Sequence, residues 1–450
     1  MDNYILKLKT ALICLVPFSL IVGPAVADIN ICIVGILFIY LSFIKKDFSF
    51  YFHPLVIFFL IFYLYILFLS FISLNILLSL ESSLFYFRFF FFAMSVWFCI
   101  KYEKKILKYF YFSLIFSITL IIIDSYFQYF IGYNITGYEY KGERLSSFFG
   151  EELILGSFIS RLMPLLFAMT IINYPNSKFV IFLTIAIFIL SDIIILLSGE
   201  RTSLFYLIFS SLIIIILIEN WKLLRFIAII FSIIISIFII NFDTSVKERV
   251  VNKTINQISN QKESLNNNIS PIESSGNIYI SDNKENLLYN SLSFFQNKIN
   301  IFSIQHEVIY KTAFKIFLDN PIKGIGPKIF REMCKNIRYT TTTKEDSSID
   351  GCQTHPHNTY VQLLTETGVI GFILFLFLFV ILCGVLIKHF FIKVLKKKIL
   401  LTDYQICLLT CVMISMWPFV PTGNMFNNWL NIIYFLPLGF ILASFQNKKQ

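Results

Sequence analysis

Two histidines flanking a proline and followed by an asparagine, His355-Pro356-His357-Asn358, are the residues of this 450-residue chain whose types and spacing most directly suggest chemistry. Pro356 ends a loop. Asn358 has a side chain suited to accept backbone N–H groups at the start of a helix. The residues that follow predict a helix that runs straight into a membrane. His357 then stands at a helix N-terminus, where the positive end of the dipole lowers an imidazole pKa. A neutral imidazole takes a proton from a hydroxyl near neutral pH. The competing reading is a histidine of a capping region that makes only a structural hydrogen bond.

Arginines at the edges of apolar runs are the second kind of candidate. Arg201 follows Ser198-Gly199-Glu200 and stands between two apolar stretches. A charge at that depth is costly and tends to be functional. Its planar fork suits phosphate oxygens. Against this stands snorkelling to lipid headgroups, or pairing with Glu200. Arg144 lies in a short loop, and Arg161 lies inside an apolar run, where it needs a partner such as Glu152 or a bound phosphate. Arg88, also within an apolar run, reads as structural.

Two weaker patterns lead nowhere. Gly324-Ile325-Gly326 lacks the preceding strand and the third glycine of a dinucleotide loop. His355 and His357 have no acidic or cysteine partner at metal-ligand spacing, so no metal is assigned.

The elements that must position these residues are apolar helices. The chain is 57% hydrophobic with a mean hydropathy of +0.75. A bilayer core about 30 Å thick needs roughly 20 apolar residues as helix. Twelve segments meet or approach that length, at 11–26, 28–44, 54–74, 83–100, 107–131, 151–172, 178–197, 202–218, 222–240, 358–387, 402–420 and 426–445. They are continuous runs rather than the alternation of a membrane barrel, which predicts an all-α polytopic protein. The net charge is +10, but its distribution argues against nucleic acid. Eighteen lysines and arginines fall in the connections of one side. Only Lys141, Arg144 and Arg201 fall in the short connections of the other. This asymmetry assigns the lysine-rich side and both termini to the cytoplasm. Lys7, Lys9 and the Ala25-Val26-Ala27 stretch resemble a cleavable signal peptide, although a first membrane helix fits better with so many spans following.

The chain thus divides into helices 1–9 over 1–240, a large outer loop over 241–357, and helices 10–12 over 358–450. Within the loop, 252–300 is rich in Asn, Ser, Gln and Lys and reads as poorly ordered. Beyond it, Val308, Ile309, Thr312, Ala313, Ile316 and Phe317 have helical spacing that Asn320-Pro321 ends. Residues 328–335 read as another short helix. Six of the eight cysteines lie in apolar runs. Cys334 and Cys352 lie in the loop, where an oxidising compartment permits a bridge.

His355-Pro356-His357-Asn358-Thr359-Tyr360-Val361-Gln362-Leu363-Leu364-Thr365-Glu366-Thr367-Gly368 resembles the signature of the bacterial O-antigen ligase and polymerase family. Four further stretches are similar to that family's motifs: Asn320-Pro321 through Phe330, Ser198 through Ser203, Arg144 through Gly150, and Pro421 through Trp429. The resemblance implies a GT-C-like fold and transfer of a glycan from undecaprenyl diphosphate on the periplasmic face of the inner membrane. The acceptor is lipid A–core for a ligase and a second lipid-linked repeat unit for a polymerase. His357 would be the base, and Arg201 and Arg144 would bind diphosphate. His355 and Asn358 would support the acceptor or the helix cap. No cofactor or metal is implied. The chain departs from the family where an arginine is usual and His306 stands instead. Protonated His306, Arg331 or Arg338 would have to supply that contact. A polysaccharide or lipid transporter is the competing class, but intramembrane charges are few and no inverted repeat is evident.

The charge asymmetry makes a direct prediction. Alkaline phosphatase fused after Asn267 is expected to be active, and fused after Lys396 inactive. The opposite pattern would reverse the topology.

Overall fold

The computed structural model describes residues 2–140, 142, 144–252, 255, 303–339 and 350–446. Among them there is no β-strand, only an isolated bridge between Tyr133 and Glu139. The first half of the bundle is α1 (Asp2–Val22), α2 (Pro24–Ile44), α3 (Pro54–Phe71), α4 (Ile76–Ser83), α5 (Phe87–Tyr102) and α6 (Ile106–Ile131). It continues with α7 (Leu155–Asn173), α8 (Lys178–Leu197), α9 (Arg201–Leu217) and α10 (Lys222–Phe242). The loop contributes α11 (Thr244–Lys247), α12 (Ile304–Asp319) and α13 (Phe330–Met333). The chain closes with α14 (Thr359–Lys396), α15 (Asp403–Ser415) and α16 (Asn428–Gln446).

Ten helical stretches among the described residues are long and apolar enough to cross a bilayer. This is a multi-pass membrane protein. Two of the twelve segments read from the sequence are shorter helices, α9 with 17 residues and α15 with 13. At 1.5 Å per residue, α15 covers only about 20 Å. The loop helix read over 328–335 is confined to the four residues of α13. Apart from Asn252 and Ile255, the segment 252–300 lies outside the described residues.

Local chemistry sets the helix starts. Proline occupies the first turn of α2 and α3, where its missing N–H costs nothing. Thr402 and Gln405 form a capping box on α15. Packing then buries one face of each helix, with α5 against α16, α7 against α15 and α8 against α10. One ion pair lies fully inside: Arg225 donates to both oxygens of Asp192 at 2.9 and 3.1 Å. Ser211 and Ser232 add bonds to the guanidinium and the carboxylate respectively. Such a pair persists because these added hydrogen bonds help to offset the cost of burying both charges. Arg88, read as structural, bonds Asp28 and Asn428 at 2.7 Å and ties α5 to α2 and α16.

The connection that matters most for the site is within α14. The helix does not run straight into the membrane, contrary to the sequence expectation. It breaks at Gly368, which takes φ 65° and ψ −171°. The break removes helical partners from four backbone groups, and each finds another. The Thr365 carbonyl accepts from Ile325 N–H at 3.2 Å, and the Glu366 carbonyl from Gly326 N–H at 2.8 Å. The Thr367 carbonyl accepts from the Tyr65 hydroxyl at 2.7 Å. The Val369 N–H donates to the Pro321 carbonyl at 2.9 Å. The loop 320–327 is therefore seated in the break.

Two glycines make that seat. A Cβ on Gly368 would overlap the Ile322 carbonyl. One on Gly324, at φ 69°, would come within 2.6 Å of the Glu366 oxygen. Gly384 is a contrast, because a Cβ there meets nothing within 4 Å. Gly368→Ala and Gly324→Ala are each expected to lower thermal stability in detergent, by at least the ~1–3 kcal/mol of a strained backbone position. Gly384→Ala should be neutral or stabilising by up to ~1 kcal/mol, the helix-propensity gain. Equal melting temperatures for the three variants would contradict the seat.

Candidate active site

The HPHN motif sits at one end of the helical bundle. Asn358 caps α14, its Oδ1 accepting from Tyr360 N–H at 2.9 Å and Val361 N–H at 3.1 Å. Its Nδ2 donates to the carbonyls of Pro418 and Val420 at 2.8 and 3.2 Å. Asn358 thus fixes the motif to the connection between α15 and α16. Thr422 reinforces this. Its N–H donates to the His357 carbonyl at 2.8 Å, and its Oγ1 accepts from Thr359 N–H at 2.8 Å. His357 is held at φ 53°, the left-handed region, where a non-glycine residue costs about 1–3 kcal/mol. That conformation lets the carbonyl reach Thr422 while the imidazole joins its neighbours.

Those neighbours are two more histidines. The His355 and His357 rings are 4.1 Å apart between centroids, and His306 meets His357 edge-on at 5.9 Å. His306 Nδ1 is 2.7 Å from Ser303 Oγ, and His355 Nδ1 is 3.0 Å from Thr354 Oγ1. Burial lowers the pKa of all three. For His355 the value falls to about 3, through burial first, then the charges of His357 and Arg331. Burial also lowers His306, aided by His357, and burial alone lowers His357. Near neutral pH the cluster consists of neutral imidazoles, the form that accepts a proton. His306 therefore stands beside His357.

Arg331 is on α13, close enough for its charge to act on His355. Its Nε is buried without a hydrogen-bond partner. A disulfide joins Cys334, just after Arg331, to Cys352, just before His355, with Cα atoms 5.0 Å apart. It ties the arginine-bearing helix to the histidine-bearing loop. Arg338 instead pairs with Asp319 at 3.1 Å and is largely exposed.

A second group of charges, Arg144 and Arg161, surrounds Glu200. That carboxylate accepts from the N–H groups of Gly156 and Ser157 at 2.8 and 3.1 Å and from Ser203 Oγ at 2.9 Å. It thereby caps the start of α7. The charges of Arg144 and Arg161 act on it. Arg161 is buried and bonds Ser157 and the Tyr206 hydroxyl, the latter at 3.2 Å. Its hydrogen-bond partners are thus Ser157 and Tyr206, while Glu152 is exposed. Arg201 is the first residue of α9 and is exposed. Tyr206 packs with Val420, whose carbonyl holds Asn358, so the arginine and histidine groups share one connecting segment.

Three residues escaped the sequence analysis. Arg249, just past α11, lies over Gly199 and donates to its carbonyl at 3.4 Å. Only its charge in an unpatterned segment marked it. Thr422 had no signal beyond its place in the Pro421 stretch. Glu366, fully buried on α14, carried the signal that drew notice to Arg201, a lone charge in an apolar context.

Comparison with known families bears on what this arrangement is. Residues 185–376 match the family model described as O-antigen ligase. That stretch, somewhat under half of the chain, is similar to the family. The matched span runs from α8 through the break in α14 and includes Arg201, Arg331 and the three histidines. This family consists of glycosyltransferase-like membrane enzymes acting on lipid-linked glycans. No curated protein matches the chain.

The depressed imidazoles make stability depend on pH in a fixed direction. The folded chain binds these protons less readily than the unfolded chain, where histidine titrates near 6.5. Stability is full above that value and is lost as pH falls towards the folded value of His355, about 3. Melting in detergent is expected at lower temperature at about pH 5 than at about pH 7.5, and His355→Asn should flatten the difference. Greater stability at the lower pH would contradict burial of neutral imidazoles.

Proposed function

We propose that the chain is an O-antigen ligase-type glycosyltransferase that moves a glycan from undecaprenyl diphosphate to a hydroxyl of lipid A–core on the periplasmic face. The observation that carries this is the half-buried histidine cluster at His357, within the stretch similar to the O-antigen ligase family. A neutral His357 takes the proton from the acceptor hydroxyl. The acceptor oxygen then attacks the anomeric carbon, and the bond from that carbon to the diphosphate oxygen breaks. The diphosphate leaves with the electron pair. Arg331, Arg144 and Arg201 are the cations suited to that developing charge. Neutral His306 assists in the histidine cluster instead. No nucleotide sugar is required, because the donor is already activated, and these arginines take the place of a metal at the leaving diphosphate.

The donor also carries a long hydrocarbon tail. An apolar cavity of about 380 Å³ between α3, α14, α15 and α16 suits such a chain. Its lining includes Met416, whose carbonyl accepts from Tyr360, and Tyr434, which faces Arg161. Tail and diphosphate would then meet near the motif. If the acceptor is a second lipid-linked repeat unit, the same chemistry makes a polymerase. A null strain that accumulates long lipid-linked chains marks a ligase, and one that accumulates single repeats marks a polymerase.

His357→Ala is expected to reduce transfer by about 10²–10⁴-fold, the usual worth of a general base, with normal protein abundance. Arg201→Lys should also be severely impaired, because an ammonium cannot make the bidentate contact of a guanidinium. Complementation of a strain lacking its own enzyme reads both, with glycan seen on a gel and protein on a blot. Near-normal glycan with His357→Ala would remove the general base. Loss of the protein itself would mark His357 as structural.

A further inference from the structure

Glu366 has no place in the chemistry above, yet it is fully buried and bonded on three sides. Its Oε1 accepts from the N–H of Phe330, the first residue of the helix that carries Arg331, at 3.3 Å. Its Oε2 accepts from Gln362 Nε2 at 2.9 Å. Gln362 reaches onward, with Nε2 donating to Asn424 Oδ1 at 2.8 Å and Oε1 accepting from Met425 N–H at 2.9 Å. The Glu366 carbonyl receives Gly326 N–H from the loop seated at the break. The charge of Arg331 acts on Glu366 on one side and on His355 on the other. One residue thus joins the arginine-bearing helix, the HPHN helix and the turn beside Thr422.

The three groups that face the carboxylate, the Gln362 amide and the N–H groups of Phe330 and Lys328, are all hydrogen-bond donors. Only a side chain with two acceptor oxygens satisfies them, so glutamine must break one contact. Phe330, whose N–H the carboxylate holds, is followed directly by Arg331 on the same short helix. We infer that Glu366 is a positioning residue for donor binding, holding Arg331 against the histidine cluster so that its guanidinium faces the diphosphate. This rests on the donor assignment proposed above.

The test uses the full-length protein in detergent and undecaprenyl diphosphate itself, the proposed leaving group, as the probe. Glu366→Gln is expected to weaken binding about tenfold or more, as loss of a charge-assisted contact implies. Arg331→Ala should weaken it comparably. The double variant should bind no worse than Arg331→Ala alone, because Glu366 acts only through Arg331. His357→Ala should bind normally while failing to transfer. Multiplicative losses in the double variant, or unchanged binding with Glu366→Gln or Arg331→Ala, would overturn the inference and leave the transferase assignment standing. No binding by the unaltered protein would overturn both. If Glu366→Gln lowers abundance, the swap Gln362→Glu with Glu366→Gln restores a carboxylate–amide pair but moves the charge. It should fold and still bind weakly; normal binding would again overturn the inference.

Discussion

The break in α14 at Gly368 is the constraint on which the end of the molecule that carries the HPHN motif depends. A continuous helix would satisfy its own backbone and owe nothing to the loop. Interrupted, it presents carbonyls at Thr365, Glu366 and Thr367 and an N–H at Val369 to surroundings poor in water. Each such group left unpaired costs several kcal/mol. Ile325, Gly326, Tyr65 and Pro321 meet that demand. The loop is therefore a required partner of the membrane helix rather than an appendage.

From that seat the site follows by short connections. Loop 320–327 leads directly into the helix of Arg331, which the Glu366 carboxylate holds by the Phe330 N–H. The Cys334–Cys352 disulfide returns the chain to the histidines. Asn358 and Thr422 then bind the motif to the turn before α16. Burial of the imidazoles is a consequence of this closure, and burial is what keeps them neutral. The left-handed conformation of His357 is tolerated because its carbonyl and the following cap are both fixed by neighbours.

Much of this was legible in the residues. Long apolar runs specify membrane helices because a bilayer offers the backbone no other partners. Asn358 could be read as a cap because its side chain length suits that position. The motif that resembles the O-antigen ligase family fell inside the span that matches its model. What could not be read was what brings distant residues together. Gly368 looked like an ordinary helical glycine, since its positive φ arises only when the loop is seated. For Arg161 the sequence offers Glu152 or a bound phosphate as partner; the hydrogen bonds instead go to Ser157 and to Tyr206, which arrives from a different helix. His306 was offered as a phosphate contact in place of a missing arginine. Its neighbours are histidines, and no local pattern encodes a meeting of residues 306 and 357. Arg249 and Glu366 were passed over for the same reason.

Glycan transfer from a lipid diphosphate is the claim on which the rest turns, and reconstitution tests it most directly. The purified full-length protein is placed in proteoliposomes with lipid A–core and an undecaprenyl diphosphate-linked glycan as sole donor, without nucleotide sugar. Mass spectrometry then follows both lipids. The expected result is glycan on lipid A–core with an equimolar release of undecaprenyl diphosphate. Transfer that occurs only when a nucleotide sugar is supplied, or a donor that crosses the bilayer unchanged, would contradict it.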